Sequence, residues 1–339
     1  MRFLLLFAAI VAAMTGYYAY WSYLADQFAA QAELWIEQRR REGFAISHDG
    51  IEVRGFPYRL TLAVGAPKIA RPDDNVPWEW RADYLAIYFQ PWDFSHLIGV
   101  VDGRQSVQWQ DNDAVEKVDI DAGETRFSAK LNKRGQIDRV IGESHHVTLS
   151  HAKGMTVQIK DLQTALRLNH GTEDSRPTGS IDVAIRVDTM DLPRQYAFFL
   201  GPKVELVKAE GFLPAPLPKG TGSRDAAQWR DQGGRLDIRD LTVNWGPLDV
   251  TGKGKVSLDE KLRPAGRLIT ALRGYGDTLR AFSDKGGLSK GQATAAIFAL
   301  NLLARDEADG GRVVDTELVV RDGILHLGPV ALLTLPTLW

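Results

Sequence analysis

The sequence predicts a mostly β protein, a long curved antiparallel meander with a few late helices, preceded by an N-terminal transmembrane helix. Three observations predict it. A charge-free apolar run opens the chain, period-two alternation recurs through most of the remainder, and helical periodicity returns only after about residue 226.

The opening run extends from Phe3 to Tyr23 with Arg2 just before it. About 20 apolar residues in a helix match the hydrocarbon thickness of a bilayer. Tyr17, Tyr18, Tyr20, Trp21 and Tyr23 stand in its second half, where amphipathic rings favour the membrane–water boundary. A cleavable signal peptide is the rival reading, since Val11-Ala12-Ala13 supplies small residues after a short apolar core. Cleavage there would leave an aromatic cluster exposed at a new terminus, so residues 1–24 are read as a retained anchor. Arg2 and the α-amino group precede the span, and the next basic residues are Arg39 to Arg41. That asymmetry predicts a short cytoplasmic tip and an exported body.

Residues 25–43 read as a helical stalk. Phe28, Ala32, Trp35 and Ile36 recur at helical spacing and Gly43 ends the pattern. The stalk rests either on the membrane or on the domain that follows. Arg39 to Arg41 suit a solvated helix C-terminus, where cations complement the dipole, or contact with anionic headgroups.

Residues 44–339 read as an exported β-rich domain. Alternating runs follow one another at Arg59–Val64, Tyr84–Phe89, Val118–Ala122, Val147–Leu149 and Met155–Ile159. They continue at Ile181–Val187, Leu236–Ile238, Leu241–Trp245, Leu248–Val250 and Leu318–Val320. Alternation at period two buries one face of each strand. Asp102-Gly103, Asn132-Lys133-Arg134-Gly135 and Trp245-Gly246-Pro247 read as tight connections, hence antiparallel neighbours. The lack of a helix between most strands argues against a parallel α/β sheet. Helical patterns come at Ala226–Gln232, Tyr275–Asp284 and Lys290–Arg305. A Pro/Gly-rich stretch at 203–224 reads as a linker at an internal boundary, or as a long loop.

Composition closes several functional classes. With 339 residues, 44% hydrophobic and 25% charged, the chain has ordinary globular make-up. A net charge of −2 supplies no field for nucleic acid. The absence of cysteine removes disulfides, thiolate metal sites and thiol nucleophiles, and fits an oxidising compartment.

Two stretches carry a family resemblance. The first is Gly55-Phe56-Pro57-Tyr58-Arg59-Leu60, after an anchor, a helix and Gly50-Ile51-Glu52-Val53. The second begins at Trp245-Gly246-Pro247-Leu248 and runs through Gly252-Lys253-Gly254, Leu258-Asp259 and Pro264-Ala265-Gly266 to Asp322-Gly323-Ile324-Leu325-His326-Leu327-Gly328-Pro329. Together they resemble the bacterial envelope family DUF2125 over almost the whole chain. More distantly the architecture is similar to AsmA-like envelope proteins, an inner-membrane anchor followed by a curved antiparallel sheet. The resemblance implies a periplasmic domain and, through the wider group, a part in carrying lipid between membranes. It implies no catalytic residue.

Several constellations have plainer readings. Gly287-Leu288-Ser289-Lys290-Gly291 matches a nucleophile elbow, with Asp306, Asp309, Asp315 and His326 following in hydrolase order. The segment before it reads as helix rather than strand, so Ser289 is better read as an N-cap completing a capping box with Gln292. His145, His146 and His151 suit surface positions better than a metal site. Asp73-Asp74-Asn75 suits a solvated loop. Gly252-Lys253-Gly254 lacks the rest of a dinucleotide fingerprint. The terminal Trp339 is like the last aromatic of an outer-membrane barrel strand, which Pro336 and the N-terminal anchor argue against.

The ligand-groove candidates are Trp78, Trp80, Ile181, Val183 and Ile185. Trp78 and Trp80 share a strand face, which suits core packing or a lipid-contacting rim. Ile181, Val183, Ile185 and Val187 share another face, with Asp182 and Arg186 opposite. The expected function is non-enzymatic and without cofactor: an inner-membrane-anchored periplasmic protein that binds or transfers lipid. The alternatives are a scaffold for other envelope proteins and, last, an envelope serine hydrolase.

Overall fold

A computed structural model describes residues 2–72, 76–111, 114–171, 177–193, 200–215, 222–307, 311–327 and 330–335. Asp73-Asp74-Asn75, Asp309, Pro336 and Trp339 therefore lie outside the described residues. The protein is mostly β with antiparallel pairing, and divides into two compact units, Met1–Val140 and Ile141–Trp339.

Anchor and stalk form one helix, α1 (Arg2–Arg41), because no glycine or proline interrupts the register between Tyr17 and Arg41. In its first half Phe3 to Met14 are exposed; further along, Trp21, Ala25 and Ile36 are buried. The stalk thus rests on the domain. Trp21 and Ala25 form a cluster with Leu60, flanked by Leu24, Phe28, Val53 and Phe89. The basic end is spent locally: Arg39 pairs with Glu42 at 2.6 Å, and Arg40 Nη2 donates to the Ile46 carbonyl at 2.7 Å.

The first unit continues with β1 (Ala45–Ser47), β2 (Gly50–Arg54), β3 (Leu60–Gly65), β4 (Lys68–Arg71), β5 (Trp78–Gln90), β6 (Asp93–Asp111) and β7 (Ala114–Leu131). β3 is buried from Leu60 to Val64, since α1 takes one of its faces. Asp102-Gly103, expected as a turn, lies inside β6 instead. The register against β5 and β7 shifts there, and Gly103 sits at φ 79°. An extra residue in the left-handed region makes a bulge, whose Asp-Gly chemistry is that of a turn. A Cβ at Gly103 would lie 2.9 Å from the Asp83 Cβ, so the position needs glycine on both counts.

β8 (Ile137–His151) spans the division between the units. The second unit then holds β9 (Thr156–Leu168), β10 (Ile181–Asp191), β11 (Lys203–Leu213), α2 (Ser223–Asp231), β12 (Leu236–Trp245), β13 (Leu248–Leu258) and β14 (Pro264–Arg273). It ends with α3 (Tyr275–Asp284), α4 (Lys290–Leu303), β15 (Arg305–Asp306), β16 (Arg312–Arg321), β17 (Ile324–Leu327) and β18 (Val330–Thr334). The stretch at 203–224 opens with a strand rather than a linker. A register shift between Val204 and Leu206 interrupts the alternation at its start, leaving only 207–213 to mark the strand. The two short runs at Leu236–Ile238 and Leu241–Trp245 are one strand, β12. Their three-residue phase slip coincides with a bulge between Ile238 and Leu241, which returns the apolar side chains to one face.

Candidate ligand-binding face

The register across the second unit sorts its side chains by chemistry. Val187, Val207, Val243, Val250, Leu272 and Val314 are paired in turn across β10, β11, β12, β13, β14 and β16. Four residues along each strand, and five along β12 because of its bulge, a parallel row reads Val183, Gly211, Ile238, Gly254, Leu268 and Leu318. Between them runs a middle row of Ile185, Ala209, Leu241, Gly252 and Thr270. β9 extends the rows with Leu162, Thr164 and Leu166. Side chains two apart share a face, so one face is apolar across seven strands. Six inter-strand steps of ~4.8 Å make it roughly 29 Å wide.

The opposite face is charged. Arg186 pairs with Asp188 at 2.7 Å, Lys208 with Asp240 at 2.8 Å and with Glu210 at 3.0 Å, and Arg239 with Asp182 at 2.8 Å. Hydrogen bonds to Asp240 and then Glu210 hold the Lys208 ammonium above its ordinary range. A hollow of about 220 Å³ is bordered by Arg186, Lys208 and Glu210 but also by Thr164 and Ile185 of the apolar rows, so it reaches both faces.

The helices of the second unit cover the apolar rows unevenly. α3 lies against β13, and Gly274, which leads into α3, has no room for a Cβ beside the Pro247 carbonyl at the β12–β13 turn. At that end Val250, Leu272 and Val314 are buried. α2 lies against β13 near its other end, where Arg230 donates to the Asp259 carbonyl at 2.9 Å. There Ile181 and Leu213 are buried. Between these ends Ile185 is 40% and Leu166 42% exposed, and Val183, Ile238, Leu241 and Leu268 are only half-buried. Ile181, Val183 and Ile185 do share a face on β10, and Arg186 lies on the other.

Trp78 and Trp80 belong to the first unit. Trp78 pairs with Trp109 across β5 and β6 and meets Phe44 edge-on at 6.3 Å; Trp80 pairs with Val107 and its indole N–H donates to Gln105 at 3.3 Å. Both are half-buried.

The remaining candidates are occupied by local structure. The Ser289 hydroxyl accepts from the Gln292 backbone N–H at 3.2 Å, while the Gln292 side chain accepts from the Ser289 N–H at 2.9 Å. That is the capping box the sequence predicts. His326 Nδ1 is 3.0 Å from the Ile324 carbonyl of its own strand. His145 lies 2.6 Å from Asp161, and that hydrogen bond holds the Asp161 carboxyl below the usual carboxylate range. Among the described residues no three His, Asp or Glu side chains converge as metal ligands. What sequence reading missed is the contribution of β11: Val207, Ala209 and Gly211 complete the face, and their alternation from 207 to 213 was the available signal.

A family model described as "Uncharacterized protein conserved in bacteria (DUF2125)" matches residues 21–336. No curated protein and no solved structure matches the chain.

Proposed function

We propose that this chain, which belongs to the DUF2125 family of bacterial proteins, is a non-enzymatic inner-membrane protein whose periplasmic second unit holds the hydrocarbon tail of a lipid. The observation that carries this reading is the half-open apolar face around Val183, Ile185 and Leu166, flanked by buried ends. A sheet face of that composition must be covered by something apolar. Each CH₂ removed from water contributes about 0.8 kcal/mol, so a long tail binds well where a small polar metabolite does not. The roughly 29 Å width exceeds the ~15 Å that one leaflet's tails span. α1 is long and apolar enough to cross a membrane, which would tether the chain to a lipid supply. The resemblance to AsmA-like envelope proteins points the same way.

A photoreactive amino acid placed at Ile185 in the full-length protein in its native membrane tests the reading. Adducts of lipid mass at Ile185 and Leu166, and none at Arg186 on the opposite face, are the expected result. The absence of a lipid adduct at both apolar positions would remove the carrier reading.

A second reading, a scaffold for other envelope proteins, has one observation in its favour. α4 turns Phe298, Leu302 and Leu303 outward, the first 66% and the second 72% exposed. Protein adducts at Phe298 together with no lipid at Ile185 would favour it.

A further inference from the structure

Where α1 leaves its exposed first half, two loops of the first unit close around it. The Tyr17 hydroxyl donates to the Pro57 carbonyl in the β2–β3 loop. The Tyr20 hydroxyl donates at 3.4 Å to the Pro91 carbonyl in the β5–β6 loop. Phe56 meets Tyr18 edge-on at 5.4 Å and Trp21 at 5.6 Å. These contacts fix the two loops at the level of Tyr17 to Trp21 on the helix.

That level lies near the far edge of a bilayer. At 1.5 Å per residue, Tyr17 stands about 21 Å along α1 from Phe3. A hydrocarbon core of ~30 Å entered at Phe3 ends near Tyr23, within two helical turns of Tyr17. A helix with no charge between Phe3 and Asp26 therefore draws both loops to the membrane boundary, unless apolar helix is left in water.

The loop tips have the matching chemistry. Tyr58 is 77% and Trp92 65% exposed, and Phe56 is also exposed. Tyr18, Tyr20 and Tyr23 stand outward beside them on the helix. Exposed rings with one polar end are the residue type that concentrates at the headgroup level. Arg59, exposed at the base of the first loop, stacks its guanidinium 5.2 Å over Tyr88, a position suited to lipid phosphate.

We infer that Phe56, Tyr58 and Trp92 form an aromatic collar that seats the first unit directly in the bilayer interface around its own span. The partner is a lipid surface, and the inference rests on α1 being a membrane span. It does not depend on what the second unit binds.

The absence of native cysteine makes single-site labelling clean. The full chain is reconstituted in vesicles of phosphatidylethanolamine with phosphatidylglycerol, carrying an environment-sensitive dye at one position: Ile10→Cys, Tyr58→Cys, Trp92→Cys or Lys133→Cys. Tyr58 is so exposed that its replacement tests the collar without disturbing packing. The expected result is blue-shifted emission at 58 and 92, quenched by lipids spin-labelled near the headgroup and protected from aqueous iodide. Position 133 should show the reverse, and position 10 should be quenched by lipids labelled deep in the chain. Iodide access at 58 and 92 equal to that at 133, with position 10 buried, overturns the collar and leaves the anchor standing. An aqueous probe at position 10 overturns both.

Discussion

The indole N–H of Trp21 donates to the Arg59 carbonyl at 3.1 Å, joining the outer part of α1 to the first residue before β3. Trp21 is only 8% exposed, and its ring lies against Phe56 and in the cluster with Ala25 and Leu60. Trp21→Phe should therefore cost about 1 kcal/mol, the worth of one hydrogen bond. Trp21→Ala should cost about 3–5 kcal/mol, because a cavity replaces the ring. Thermal unfolding of the full chain in detergent micelles measures both. Equal, near-zero shifts would mean that α1 does not dock there in solution.

Val183 distinguishes an open face from a filled core. It is half-buried, beside Leu166 on β9 and Gly211 on β11. Val183→Trp should block uptake of a fluorescent fatty-chain probe while changing stability by about 0.5 kcal/mol or less, as at a surface site. Overpacking a closed core would instead cost about 1–3 kcal/mol. Probe uptake is read by fluorescence and stability by denaturant unfolding of the same sample.

Much of this was legible beforehand, and the failures have one physical origin. α3 begins and ends at the predicted Tyr275 and Asp284, and Ser289 caps α4 as its spacing with Gln292 implies. The alternation of Ile181 to Val187 located β10. β6 and β11 were lost because bulges put glycine or a phase slip inside a strand, and a short window reads either as a turn. Tyr17 and Trp21 read as boundary aromatics, yet in the fold they bind the Phe56–Arg59 loop. Membrane interfaces and protein cores use the same rings, so spacing alone could not separate the two roles. The apolar face became visible only when register brought Val187, Val207 and Val243 into line.

Ser289 gives a prediction in which stability and function part. Its hydroxyl and the Gln292 side chain satisfy two backbone N–H groups at the start of α4. Ser289→Ala should lower stability by about 1 kcal/mol, the usual worth of an N-cap. It should leave any cellular phenotype of the gene intact. A fully folded, normally abundant variant that fails to complement a deletion would revive the nucleophile reading.

Gly254 and Gly291 should respond in opposite directions to the same added methyl. On β13, a Cβ at Gly254 would lie 2.0 Å from the Arg267 carbonyl oxygen and 2.7 Å from the Leu268 Cα of β14. Both obstacles are backbone, so relief requires the strands to move apart in the middle of the apolar face. The cost should reach or exceed the about 1–3 kcal/mol typical of overpacking. On α4, a Cβ at Gly291 would meet nothing within 4 Å. There the dominant effect is the entropy glycine loses on entering a helix, and alanine should gain up to about 0.5–1 kcal/mol. Because Gly254 pairs with Ile238 and Leu268, its alanine variant should also reduce probe uptake, whereas Gly291→Ala should not. Unfolding midpoints and probe binding on the two variants decide the matter. A tolerated Gly254→Ala would show that β13 and β14 are not held in this close register.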